Sequence, residues 1–203
     1  MTWDHETSAA PASEPWAPDY TYRPSLLGAP WSFRLTPTGI AWEAGRRSGQ
    51  VPYAKVRRVR MSYKPASMQS HRFITELWAE DAPRLPIVSS SWKSMVEVER
   101  LDEPYAAFVR RLHERLIGAG APIDFMRGRH PLSYWPGLVL FVVVALGLAA
   151  VAVRALQVHA LGGAAVIGAF VALFLWQGGT FFRRNLPGRY APQALPAELM
   201  PKG

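Results

Sequence analysis

Cysteine is absent from the 203 residues, which excludes a disulfide framework, a thiolate metal site and a cysteine nucleophile together. Charge is sparse as well: Asp, Glu, Lys and Arg make up 19% of the chain, below the roughly one quarter usual in soluble domains. Histidine occurs at His5, His71, His113, His130 and His159, and no two stand at metal-ligand spacing. His113-Glu114 opens like a zinc-protease helix, but Ile117 stands where the second histidine is needed. Ser89, Ser90 and Ser91 have no neighbouring base and no glycine-framed elbow, and the acid pairs Glu80-Asp81 and Asp102-Glu103 read as turn and cap residues. Gly162 and Gly163 fall in an apolar run and make no phosphate loop. No metal, no cofactor and no enzymatic activity are expected.

Two stretches, residues 134–153 and 160–182, carry no charged side chain. At about 1.5 Å rise per residue, twenty helical residues cross roughly 30 Å, the thickness of a bilayer core. Only six residues separate the two, so they are expected as an antiparallel transmembrane hairpin, 133–183, with spans 133–153 and 160–182. The rest of the chain is too small to wrap two helices that are apolar on every face. Arg127 and Arg129 precede the first span and Arg183, Arg184 and Arg189 follow the second, against Arg154 alone between them. Lys and Arg resist translocation, so both termini are expected in the cytoplasm. The first eighteen residues place acids where a signal peptide needs bases and have no apolar core. No acid or base lies within the spans, which disfavours transport. Tyr134, Trp135, Phe181 and Phe182 are expected as belt residues at the membrane surface. Small residues at spacing four, Ala164, Gly168 and Ala172 on the second span with Ala145 and Ala149 on the first, are expected to pack the hairpin on itself or on a foreign helix.

The net charge of +8 is unevenly spread. Residues 1–28 hold four acids and one base among Pro, Ala and Ser, and read as a disordered tail with scattered Trp3, Trp16, Tyr20 and Tyr22. Residues 29–120 hold nine acids and fifteen bases and are patterned as a folded unit. Trp31, Phe33 and Leu35 alternate, Thr36-Pro37-Thr38-Gly39 turns the chain, and Ile40 and Trp42 resume, which predicts a hairpin. A second turn falls at residues 45–49, and further strands are expected at 55–64, 73–79 and 85–89. Beyond Trp92 and Met95 the pattern is lost. Tyr105, Phe108, Val109, Leu112 and Leu116 then recur at helical spacing, with Asp102 or Glu103 as cap, Pro104 in the first turn and Gly118 as stop. The expected class is α+β: a run of antiparallel strands closed by one amphipathic helix, then the hairpin. Residues 121–132 read as a linker, and 184–203, with four prolines, as a cytoplasmic tail without regular structure: a docking peptide or a loose end.

The segment LTPTGIAWEAGRRSGQVPYAKVRRVRM resembles the opening of bacterial pleckstrin-homology-like domains, in the Thr-Pro-Thr-Gly turn at residues 36–39 and the Val51-Pro52-Tyr53 step into a strand. With the helix at 103–117, the resemblance covers about residues 29–118. It implies a strongly bent antiparallel sheet forming a barrel, plugged at one end by the helix, and a binding or assembly module without catalysis. Bacterial members often sit beside transmembrane helices, which implies a bacterial inner membrane. Eukaryotic relatives that bind phosphoinositides carry bases at the first hairpin turn, and Pro37 to Gly39 carry none here.

The basic stripe Lys55, Arg57, Arg58, Arg60 and Lys64 is the leading candidate for binding a protein partner or anionic lipid, since each base held at an anionic leaflet contributes about 1 kcal/mol. A solvated strand face that discourages edge aggregation is the plain alternative. Nucleic acid is not expected, because Tyr63 alternates inward and leaves the bases without exposed aromatics. Two functions follow as expectations: a non-enzymatic scaffold whose cytoplasmic domain binds a partner or the leaflet, or an accessory subunit docked into a larger membrane complex through its hairpin and tails.

Overall fold

The computed structural model describes residues 19–65, 71–94 and 97–201. Residues 1–18 of the expected acidic tail, with Trp3 and Trp16, and Met95 lie outside the described residues. The chain builds an α+β arrangement: mostly antiparallel sheets, one amphipathic helix and two long apolar helices at its C-terminal end.

The first sheet has the order β1 (Tyr20–Tyr22), β2 (Trp31–Leu35), β3 (Gly39–Ala44) and β4 (Arg47–Pro52), antiparallel throughout. The expected first turn closes through Thr36: its N–H donates to the Gly39 carbonyl and its Oγ1 accepts from the Gly39 N–H. Gly39 is obligatory there, because a Cβ would lie 2.4 Å from the Val51 carbonyl oxygen. Gly45, at φ +64°, opens the two-residue loop between β3 and β4, where a side chain would be strained. The second sheet centres on β5 (Val56–Pro65), paired with β6 (His71–Ala79), which in turn pairs with β7 (Leu85–Val88). A small ribbon of β8 (Ser90–Trp92) and β9 (Val98–Arg100) follows. Helix α1 (Asp102–Gly118) buries Tyr105, Phe108, Val109, Leu112 and Leu116, the predicted stripe, while Arg110, Arg111 and Arg115 stay outside. Its N-cap is Leu101 rather than an acid; Asp102 and Glu103 occupy the first turn, where their charge suits the helix dipole.

The two sheets are not closed into a barrel by strand pairing. Instead, tyrosines bridge them: the Tyr20 hydroxyl donates to the Val88 carbonyl at 2.6 Å and Tyr22 to Pro86 at 2.5 Å. Both rings lie in the core with Phe33 and Phe108, and each buried hydroxyl has found an acceptor, as an apolar interior requires. Burial pushes both phenols above their ordinary range. Strand β1 therefore lies within the stretch expected as tail; Tyr20 and Tyr22 alternate for only three residues, too few to register as a strand beforehand.

Two further segments differ from expectation. Within 121–132, β10 (Asp124–Arg127) pairs parallel to β5 and adds an edge to the second sheet. Past the hairpin, β11 (Gly188–Arg189) pairs with β10, and a 3₁₀ turn at Ala197–Leu199 drops Leu199, 1% exposed, and Met200 into the core. Prolines forbid a long ladder here, but they leave an extended chain free to lay single side chains into grooves. Tyr190 packs against Phe125 and donates to His113 Nε2 at 2.7 Å, while His113 Nδ1 faces the Val109 carbonyl at 2.8 Å.

Helices α2 (Pro131–Gln157) and α3 (Leu161–Arg184) are each long and apolar enough to cross a membrane; they exceed the expected spans by two residues at each domain-facing end, and α2 runs about one turn further at its loop end. His130 caps α2 and Pro131 takes its first position, where no N–H is missed. The seam between them runs through Tyr134, Phe141, Ala145, Leu148 and Ala152 against Ala164, Ile167, Val171, Phe174 and Gly178, a spacing of alternating three and four. Phe141 stacks on Phe174 at 4.7 Å and sits against Gly178, where an added Cβ would meet its ring at 2.1 Å. Of the expected small-residue stripe, Ala164, Ala145 and Ala149 fall at least partly within the packed side, whereas Gly168 and Ala172 face outward and Gly168 has nothing within 4 Å of a built Cβ. A strict spacing of four rotates steadily around a helix with 3.6 residues per turn, so it leaves a seam that alternates three and four. Tyr134 is likewise buried against Phe182, donating to its carbonyl, and Trp135 is the exposed member of that pair.

Two outcomes follow. In detergent, Gly178→Leu should lower stability by about 1–3 kcal/mol through overpacking against Phe141, whereas Gly168→Leu should change it by less than about 0.5 kcal/mol; thermal unfolding of the two variants checks this. His113 is pushed down to about 4 by burial, against an ordinary 6.5. The unfolded chain therefore takes up the proton first, and stability present above about pH 6.5 is lost as pH falls toward 4, by up to about 3 kcal/mol. Denaturation midpoints measured from pH 7 to 4.5 should fall more steeply for the wild type than for His113→Gln.

Candidate functional site

The place where the hairpin leaves the sheet is the most constrained part of the molecule. Asn185, the residue after α3, is 0% exposed. Its Oδ1 accepts the Tyr63 backbone N–H at 3.0 Å, its Nδ2 donates to the Phe181 carbonyl, and its own carbonyl accepts from Arg129 N–H. Gly128, at φ +74°, donates its N–H to the Met61 carbonyl and lies so close that a Cβ would be 2.4 Å from the carbonyl oxygens of Asn185 and Leu186. Arg184 lies over the Tyr63 ring at 4.7 Å and Arg129 over Phe181 at 5.9 Å. Strand β5, the entry to α2 and the exit from α3 are thereby tied into one knot.

Beside this knot opens a cavity of about 760 Å³. Four arginines reach it from three elements: Arg100 ends β9, Arg127 ends β10, and Arg183 and Arg184 lie in the last turn of α3. Phe73 and Met200 supply apolar wall, and Glu198 is the acid among the lining residues. Arg100 also pairs with Asp102. The Nε of Arg127 is buried beside Gly188 without a hydrogen-bond partner among the described residues, a costly state. Guanidinium groups present paired N–H donors that match carboxylate and phosphate oxygens. The arrangement has the chemistry of an anion receptor, and no group of metal-ligating side chains occurs among the described residues.

The predicted basic stripe is found on the outer side of β5, but its charges are largely engaged. Lys55 pairs with Asp81 at 3.5 Å, Arg57 with Glu80 at 2.6 Å and Arg58 with Asp124 at 3.7 Å. Arg60 lies over the Trp78 ring at 5.6 Å with its Nη2 3.4 Å from the Met126 sulfur, and burial there lowers its pKa. Lys64 is exposed. A bulge at Arg57 turns both Arg57 and Arg58 outward and lets Val56 and Val59 both face the core. Lys55 lies in the 3₁₀ turn just before β5 and Lys64 near the strand's other end, about 26 Å from Val56, so the two ends of the stripe have different surroundings. Ser62, which alternates with Arg60 and Lys64 on that side of β5, is buried.

Arg127, Arg183 and Arg184 were legible as bases flanking the spans, but their convergence was not. Arg100 carried no signal, because β9 has three residues and no alternation, and Asn185 and Gly128 looked like ordinary punctuation. Replacing Asn185 by Ala strands the Tyr63 N–H and should cost about 1–3 kcal/mol. Hydrogen exchange at that amide, with the thermal midpoint in detergent, should show faster exchange and a lower midpoint.

No protein-family model, curated protein or solved structure matches this chain.

Proposed function

We propose that this is a non-enzymatic, membrane-anchored protein whose sheet domain, of the pleckstrin-homology-like kind, serves as a binding scaffold at the inner face of a bacterial cytoplasmic membrane. The observation that carries the reading is the contrast between the two ends of the hairpin. Its flanks expose large apolar side chains, such as Leu140 at 65% and Phe170 at 66%, a surface that water does not tolerate on a soluble protein. Its base, by contrast, is knotted to the domain through Asn185 and Gly128. A domain held this way has a fixed posture at the surface, which suits capture of a protein partner or of anionic lipid. The bases around the base of the hairpin favour a cytoplasmic placement for both chain ends.

A second reading, an accessory subunit of a larger membrane complex, draws on the outward face of α3. Gly168 and Ala172 leave a small-residue surface there that the hairpin itself does not use, and a foreign helix can approach such a surface closely. Under this reading Gly168→Leu leaves the isolated protein intact and reduces what co-purifies with it.

The absence of cysteine makes the topology directly testable. Single cysteines at the exposed positions Ser48 and Val158 should label differently with an impermeant maleimide. Val158→Cys is expected to react in intact cells, and Ser48→Cys only after the membrane is opened. Labelling of Ser48→Cys in intact cells would overturn the placement.

A further inference from the structure

The cavity beside Asn185 has features that neither helix ends nor surface bases require. Arg183 and Arg184 by themselves need no ligand, since cations at a helix C-terminus offset its dipole and bases beside a span set its orientation. Neither role explains why Arg127, a base that precedes the first span, and Arg100, paired with Asp102, join them at one point. They come from β10 and β9, far apart in sequence, and the fold brings them to the same cavity as the α3 pair. The Nε of Arg127 is buried without a hydrogen-bond partner among the described residues, so this guanidinium is already partly desolvated where it lines the cavity. The wall is completed by the C-terminal tail, whose Leu199 and Met200 are anchored in the core and so hold the neighbouring Glu198 at the rim. The cavity is about 760 Å³, within the range of small-molecule sites, and joins a polar, cationic side to an apolar one at Phe73 and Met200.

Its position decides between ligands. Arg183 and Arg184 end the second apolar helix, so the cavity lies at the level where lipid headgroups meet water if the hairpin spans a bilayer. A phosphodiester there can receive paired N–H bonds from guanidinium groups while its glycerol backbone lies on Phe73 and Met200. We propose that this cavity is a binding site for the phosphate of an anionic glycerophospholipid headgroup, held by Arg127 and Arg183 with Arg100 and Arg184 beside them. The site is separate from the face of β5, where Lys55, Arg57 and Arg58 are already paired with Asp81, Glu80 and Asp124. It rests on the membrane-anchored reading. The two fail separately: maleimide labelling tests placement, and lipid binding by the purified chain tests the cavity.

The test is native mass spectrometry of the full chain in non-ionic detergent, titrated with phosphatidylglycerol, with phosphatidylcholine, or with inorganic pyrophosphate as competitor. The wild type is expected to bind phosphatidylglycerol at least tenfold more tightly than phosphatidylcholine. Arg127→Gln with Arg183→Gln should abolish that preference, and Lys55→Gln with Arg57→Gln should preserve it. Glu198→Gln removes the rim carboxylate and should tighten binding two- to fivefold, a gain that an unfolded variant cannot mimic. Arg183→Gln alone, at an exposed position, keeps the test sound if Arg127→Gln proves unstable, and should weaken binding at least threefold. Competition by millimolar pyrophosphate is expected, because both ligands use the same arginines, and failure to compete would count against phosphate recognition; tight pyrophosphate binding without a preference for phosphatidylglycerol would assign the site to a soluble phosphate and overturn the lipid assignment. Equal binding of both lipids by the wild type, or an undiminished preference in the Arg127 and Arg183 variants, would overturn the proposal.

Discussion

Everything at the base of the two long helices depends on one buried amide. Asn185 follows directly on an apolar helix, yet its side chain spans the gap between the Tyr63 N–H of β5 and the Phe181 carbonyl of α3. A buried backbone donor at the end of a strand must find an acceptor, and a carbonyl at the end of a helix must find a donor. Asparagine offers both on separate atoms, whereas a carboxylate has no donor and a hydroxyl carries both on a single oxygen. Because Gly128 can approach without a Cβ, the entry to α2 closes on the same point. The two helices are thus extensions of the second sheet's edge, with no flexible tether between.

That joint orders the charge around it. Asp124 on β10 is shared by Arg58 on β5 and Arg189 on β11, so one acid stitches three strands and neutralises part of the outer face. Exposed pairs of this sort contribute little stability, typically under about 1 kcal/mol, but they decide which bases stay available. On β5 the acids of the neighbouring turn, Glu80 and Asp81, take up Arg57 and Lys55. At the cavity Asp102 takes up Arg100 and Glu198 is the acid of the lining, which leaves an excess of positive charge from Arg127, Arg183 and Arg184. The strongest basic surface therefore lies where sequence runs end, and the most basic run in the sequence is the more nearly neutralised.

The C-terminal tail links the two halves of this picture. Tyr190 donates to a buried, uncharged His113 on α1, and Leu199 and Met200 enter the core. Leu199 and Met200 each gain the roughly 1.5–3 kcal/mol typical of fully burying a large apolar side chain, which offsets the loss of freedom in the residues that place it. The tail thereby becomes a wall of the cavity rather than a free end.

Periodicity alone determined a good deal of this protein. Alternation over Trp31 to Trp42 and over Val59 to Tyr63 marked strands and their buried faces, the spacing from Tyr105 to Leu116 marked the helix and its core side, and two charge-free runs marked the long apolar helices. Each of those is a local property, legible because a pattern repeats within one element. Tertiary structure alone decided the rest. Tyr20 and Tyr22 are core because β7 supplies carbonyls some 64 to 68 residues away, β10 is a strand because β5 has a free edge, and Gly178 rather than Gly168 meets α2 because the seam follows the packing of Phe141. Arg100, Arg127, Arg183 and Arg184 form one cavity for the same reason. Partners of this sort are chosen by which surfaces remain uncovered once the elements have assembled, and no repeat in a linear sequence encodes that.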